Sequence, residues 1–211
     1  MCFHSKQSKD AQALEKRFKA KVKAGVAIEP AVYNGFTHPQ TPIIAHHQAD
    51  TIQLYQWGLI PAWAKDSSIQ QYTLNAKVET LHQKPSFQHV TQQRCLVLAD
   101  GFMEWQWLDT KGKRKQAYTI SLPNQAAFAF AGLWSEWLEP STGELVHSYS
   151  ILTTEAIGLM AEIHNSKKRM PIILSAEQEA DWLSGLALHH FSHNELPLLA
   201  EKVPEAQGTL F

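Results

Sequence analysis

The chain has 211 residues, a formal net charge of −1 and 44% hydrophobic content. That length buries one substantial core, so a single domain over residues 1–211 is expected. Nothing approaches the ~20 consecutive apolar residues of a membrane helix, and the polar first ten residues lack a secretory core, so neither membrane insertion nor export is expected. Two cysteines, Cys2 and Cys95, make no disulfide framework and fit a reducing cytoplasm.

Cys2 directly follows Met1. Methionine aminopeptidases act where the second residue is small, and loss of Met1 leaves an amine and a thiol on one residue. With ordinary pKa values of about 8 and about 8.5, both groups are partly deprotonated at neutral pH. Such a 1,2-aminothiol condenses with an aldehyde to an imine, and the thiol then closes on the same carbon to give a thiazolidine. A cysteine at position two is equally compatible with an unconstrained terminus, and taken alone it is a weak signal.

From Ser8 to Lys23, Ala11, Leu14, Phe18 and Val22 recur at helical spacing among charged residues, which predicts an amphipathic surface helix ended by Gly25. The following segments predict strands: TIQLYQWGLIP, RCLVLADG, FMEWQW, AYTISL, AFAFAGLW, SYSILTT and MPIIL are short, aromatic and β-branched, and bounded by Gly, Pro, Asp or Asn. In LNAKVET, Asn75, Lys77 and Glu79 share one face if the segment is extended, as turn and solvated residues or as a polar cluster. Cys95, inside the apolar run CLVLA, reads as a small buried hydrophobe. In LADGFMEWQW, alternation sets Glu104 on the face opposite Trp105 and Trp107; it is then either a wet-face carboxylate or one held in a cleft with a raised pKa.

Further on, Ile157, Met160 and Ile163 predict a helix over TEAIGLMAEIH, with His164 at its end as a cap or a proton carrier. A last helix is predicted after Ser175, where Gln178 completes a capping box. The element list implies an α+β domain around a curled, largely antiparallel sheet. Twelve of the 19 basic residues fall in the runs KRFKAKVK, KGKRK and KKR, which are solvated faces or phosphate contacts. The eleven histidines are scattered, and the pairs His46–His47 and His189–His190 are adjacent rather than one turn apart, so neither a metal site nor a cofactor is expected.

Cys2 after Met1, NAKVET, ADGFMEW and EIH…RMPIIL follow one another in an order that resembles the SOS response-associated peptidase (SRAP) family. WGLIPAW, FAFAGLW and SYSILTTEA extend the resemblance over residues 2 to about 186. It implies the SRAP α+β fold, a twisted, barrel-like sheet with a few flanking helices. It further implies a protein that binds abasic sites in single-stranded DNA and forms a thiazolidine cross-link with the ring-opened sugar, shielding the lesion. By motif match Cys2 is the nucleophile, Asn75 orients the N-terminal residue and the sugar, Glu104 is the acid and base, and His164 assists sugar opening. Lys77 stands where the family usually has a phosphate-contacting arginine, and His4 and Arg169 are the further DNA-facing candidates. Trp63 and Phe87 are either stacking faces for bases beside the gap or core aromatics.

The expected setting is a monomer in the cytoplasm, nucleoid-associated when on DNA, with no membrane partner. The family name suggests a second reading, a cysteine-dependent autopeptidase that removes Met1, and a third is a single-strand binding module with an idle cysteine. Several positions depart from the family pattern. Phe3 and His4 replace Gly-Arg, YNGFTHP lengthens a turn, PAWA offers one tryptophan where some relatives have two, and SKK lengthens the loop after His164.

Overall fold

The computed structural model of the chain describes residues 2–191 and 196–204. In chain order its elements are β1 (His4–Gln7), α1 (Ala11–Phe18), β2 (Lys21–Val22), β3 (Ala31–Asn34), β4 (Gln40–Ala45) and β5 (Thr51–Trp57). Then come β6 (Asn75–Lys77), β7 (Arg94–Ala99), β8 (Gly101–Trp107), β9 (Lys115–Ser121), β10 (Phe128–Leu138) and β11 (Leu145–Glu155). The chain continues with α2 (Gly158–Ile163), β12 (Arg169–Pro171), β13 (Ile173–Leu174), α3 (Ala176–Leu183) and β14 (Leu199–Lys202). Every strand expected from composition is present, and the fold is α+β with few helices, as expected. No helix among the described residues is long and apolar enough to cross a membrane.

The first helix is shorter than its periodicity suggested. The Asp10 carboxylate accepts from the Ala13 N–H at 2.8 Å and starts α1. Lys19, in the left-handed region at φ 53°, stops it before Gly25 is reached. Val22 keeps the helical spacing but lies in β2, paired in parallel with Ile52 of β5. The capping box of α3 is formed by Ser175 and Gln178 as the sequence predicts.

Five strands close on themselves in the order β5-β4-β7-β10-β11, because β11 returns to pair in parallel with β5, Ser148 opposite Gln56 and Tyr149 opposite Trp57. Alternation then divides the side chains of this barrel. Ile43, Trp57, Val97, Phe130 and Tyr149 fill one cluster, while Ile44, Ile52, Leu96, Leu98 and Leu152 join a second with Trp182 of α3 and Leu14 of α1. α1 and α3 pack on the second cluster, on the outer face of the barrel, whereas α2 contributes Met160 and Ile163 to the first, which fills the interior. Gly132 sits where β7, β10 and β11 meet, opposite Cys95 and Ile151. A Cβ there would lie 2.7 Å from the Cys95 sulfur and 2.9 Å from Val97 Cγ2. Gly132→Ala is therefore expected to cost about 1–3 kcal/mol in a denaturant titration, and an unchanged midpoint would show that the barrel wall yields freely there.

The second sheet runs β14-β9-β8-β1-β3, and β7 of the barrel passes into β8 of this sheet through the single residue Asp100. Asp100 is buried and accepts from the Ser8 backbone N–H and hydroxyl and from Lys9. Its own N–H donates to Lys6 O at 2.9 Å. That corner pins the N-terminal segment: β1 lies between β3 and β8, with His4 opposite Met103. The residues just before β1 therefore run alongside Glu104.

Candidate functional site

Past the barrel, β11 exchanges its neighbours. Its outer half is flanked by β6, with Asn75 opposite Ile151 and Lys77 opposite Thr153, and by β12, with Arg169 opposite Glu155. This one strand thereby carries Asn75 on one edge and the loop holding His164 on the other. The second sheet supplies Cys2 and Glu104.

Cys2 is 0% exposed and belongs to the barrel-interior cluster. The Asn75 side-chain amide donates to the Cys2 carbonyl at 2.8 Å. Burial pushes the Cys2 thiol well up, and the charge of Glu104 pushes it further in the same direction. Glu104 is 3% exposed. It lies opposite the two tryptophans, as alternation predicts, and its face is the buried one, shared with Phe102. Burial raises the Glu104 carboxyl to about 7. A group at that value holds a proton about half the time at neutral pH, which suits both halves of acid–base work.

His164 is the C-terminal cap of α2, and its Nε2 lies 3.9 Å from Glu104 Oε2. Its Nδ1 is 2.6 Å from the Arg169 carbonyl and 3.4 Å from the Arg169 amide nitrogen, so the shorter contact makes Nδ1 a donor to the carbonyl. Nε2 is thereby left as the basic nitrogen facing Glu104. Burial lowers the His164 pKa while it raises that of Glu104, so both shifts disfavour a standing ion pair and leave two groups able to pass a proton.

Two supports of this geometry were not read from the sequence. Asn165 exchanges hydrogen bonds with the Trp107 backbone, accepting at 3.0 Å and donating at 2.9 Å, and so fixes the His164 loop to the end of β8. Glu79 binds Arg169 in a bidentate pair at 2.7 and 2.9 Å, and Arg169 also donates to Thr153 O at 2.6 Å. Only the opposite charges of Glu79 and Arg169 hinted at their pairing, and Glu79 lies on a 3-10 turn, not on an extended face.

The DNA-facing candidates separate. Lys77 is exposed on β6, two residues from Asn75. Trp63 is 56% exposed, its indole N–H 3.4 Å from Pro85 O. Phe87 is 7% exposed and packs in the outer cluster with Leu81 and Val90, so it is a core aromatic and not a stacking face. The Arg169 guanidinium is engaged by Glu79 and Thr153. Burial lowers the pKa of His4, whose ring meets Trp105 edge-on at 5.1 Å, so it brings no standing charge. Met1, whose removal the aminothiol chemistry requires, lies outside the described residues. Among the described residues no group of three metal-ligating side chains is gathered.

The family described as SOS response associated peptidase (SRAP) matches residues 1–207. The chain is 44% identical over 130 residues to the abasic site processing protein YoqW of Bacillus subtilis, covering 61% of this chain and 55% of that protein. It is 30% identical over 183 residues to the abasic site processing protein HMCES of Xenopus tropicalis, covering 72% of this chain and 53% of that one. It therefore spans about half the length of these relatives. A crystal structure of a protein from Bacteroides thetaiotaomicron superimposes with a TM-score of 0.86 at 31% identity, covering 97% of this chain and 93% of that one.

Proposed function

The chain belongs to the SOS response associated peptidase family, and on that premise we propose that it captures abasic sites in single-stranded DNA through Cys2 after Met1 is removed. The observation that carries this reading is the double hold on Cys2: Asn75 fixes its carbonyl, and Glu104 bears on its thiol. The names of the relatives supply the substrate class.

The sugar of an abasic site is mostly a closed hemiacetal. Opening it takes a proton from the anomeric hydroxyl and gives one to the ring oxygen, and Glu104 with neutral His164 can do both. The Cys2 amine then adds to the aldehyde, and the carbinolamine loses water as protonated Glu104 donates to the departing hydroxyl. The thiol adds to the imine carbon, forming the C–S bond while its proton passes by way of the Glu104 carboxylate to the ring nitrogen. Aldehyde and aminothiol give thiazolidine and water, with no change in oxidation state. The high thiol pKa means that sulfur arrives protonated and needs an adjacent base.

The test uses protein whose mature first residue is Cys2, incubated with an abasic single strand and read by denaturing gel and intact mass. The expected product has the mass of protein plus strand less one water. Absence of any heat-stable adduct overturns the proposal. In a parallel sample that still carries Met1, loss of Met1 with no adduct would instead favour self-processing, and equal binding of undamaged strands with no adduct a plain binding module.

Lys77 is the exposed cation nearest Asn75 along the chain. Lys77→Ala is expected to weaken binding and to lower the slope of log affinity against log salt by roughly 0.7 to 1, the contribution of one phosphate contact. An unaltered slope would take Lys77 out of the contact set.

A further inference from the structure

Beside the nucleophile lies a pair of aromatic rings that the cross-linking chemistry does not use. Phe3 follows Cys2 directly, and its ring centroid is 4.8 Å from that of Phe36, tilted by 34°. Phe3 is half-buried against the barrel-interior cluster, whereas Phe36 is 56% exposed. A single exposed phenylalanine is unremarkable on a protein surface. This one differs in how firmly it is held.

The turn after β3 is closed by its own hydrogen bonds. The Asn34 side chain accepts from the Phe36 N–H at 3.0 Å, the Thr37 hydroxyl donates to Asn34 O at 2.8 Å, and the His38 N–H donates to Gly35 O at 3.0 Å. Two further bonds tie it to its surroundings: Gly35 N–H to Phe3 O at 2.8 Å, and His38 Nδ1 to Trp57 O at 3.0 Å. Gly35 also leaves room for that approach, since a Cβ there would stand 3.2 Å from Phe3 O and 3.3 Å from the Trp57 ring. A ring held this way loses little freedom when a ligand packs on it, which is the condition for efficient stacking.

We infer that Phe3 and Phe36 form a stacking platform for the nucleobase next to the abasic nucleotide, an inference that rests on the capture of abasic DNA at Cys2. Consecutive Cα atoms are about 3.8 Å apart, and successive bases on a strand rise about 3.4 Å. A sugar bound at Cys2 therefore brings its neighbouring base to within reach of the pair. That base has lost the stacking partner on its gap side and presents an uncovered π-face. The electrostatics point the same way. His4, the residue after Phe3, is held neutral, so it offers the strand no standing charge beside the pair. The platform is indifferent to sequence because every base has a face to offer.

The probe is a single strand containing tetrahydrofuran, an abasic analogue with no aldehyde, with 2-aminopurine as its neighbour on one side or the other. The intact protein is expected to quench one of the two neighbours. Phe36→Ala, a change at an exposed position, is expected to remove that quenching and weaken binding roughly 5- to 150-fold, the range for one lost base–aromatic contact. Phe36→Trp should restore both. Replacing the neighbour by a second tetrahydrofuran should abolish the difference between Phe36→Ala and the parent. Equal affinity and equal fluorescence for Phe36→Ala and the parent would overturn the platform. Adduct yield on a natural abasic strand separates the two ideas: a parent protein that forms the adduct while Phe36→Ala is unchanged on tetrahydrofuran defeats the platform alone, and a parent that forms no adduct defeats the capture reading.

Discussion

Cys2→Ala is expected to lower heat-stable adduct formation on an abasic strand by more than about 1,000-fold, because it removes the atom that makes the product permanent. An amine alone reaches only the imine, which hydrolyses. Cys2→Ser therefore makes the sharper comparison: it keeps the amine, so borohydride should trap an imine adduct while the untreated, heated sample shows none. Neither change should unfold the protein, since Cys2 contributes one sulfur to a cluster that also holds Trp57, Phe130 and Tyr149. Cys95→Ala is the control. Cys95 is equally buried, but it lies on β7 opposite Gly132. Burial alone raises its thiol, and it should leave adduct yield unchanged. Comparable heat-stable yield from Cys2→Ala and the parent would remove Cys2 from the chemistry.

What the sequence made legible was local. Strand composition, the capping box at Ser175 and Gln178, and the alternation around Glu104 are properties of a few consecutive residues. The pairing of β11 with β5 was not legible, because nothing near Tyr149 signals that Trp57 will lie beside it; closure is decided by packing between segments some ninety residues apart. The same holds for Glu79 and Arg169, whose charges read as solvent-facing until β6 and β12 are both placed on β11. Phe87 and Trp63 show the limit from the other side. Both are aromatics in loop-like sequence, and only tertiary packing decided that the first is core and the second surface. The end of α1 failed for a local reason, since an unbroken helical pattern through Val22 does not reveal that Lys19 turns left-handed. The resemblance to a family gathered Cys2, Asn75, Glu104 and His164 before any contact was known, but it gave no sign that Arg169 pairs with Glu79.

Glu104→Gln tests the acid–base assignment through rate and stability together. The amide cannot exchange a proton, so adduct formation near neutral pH should slow by about 100- to 10,000-fold, with noncovalent binding to a tetrahydrofuran strand retained. In the parent, the rate should change with pH around the carboxyl's value of about 7. The stability effect has the opposite sign. The carboxyl's ordinary value is 4.5 and folding raises it to about 7, so between those values the folded state binds more protons than the unfolded one. Parent stability is thus highest, as far as this group is concerned, below pH 4.5 and declines as pH rises, with the loss complete above about 7. The full difference is on the order of 3 kcal/mol. Glu104→Gln lacks this term, so its stability relative to the parent should climb across that interval and level off at mildly alkaline pH. Denaturant titrations of both proteins at pH 4.5, 6 and 8 would read it, and parallel curves at all three values would mean that Glu104 is not the strained, proton-holding carboxyl the site requires.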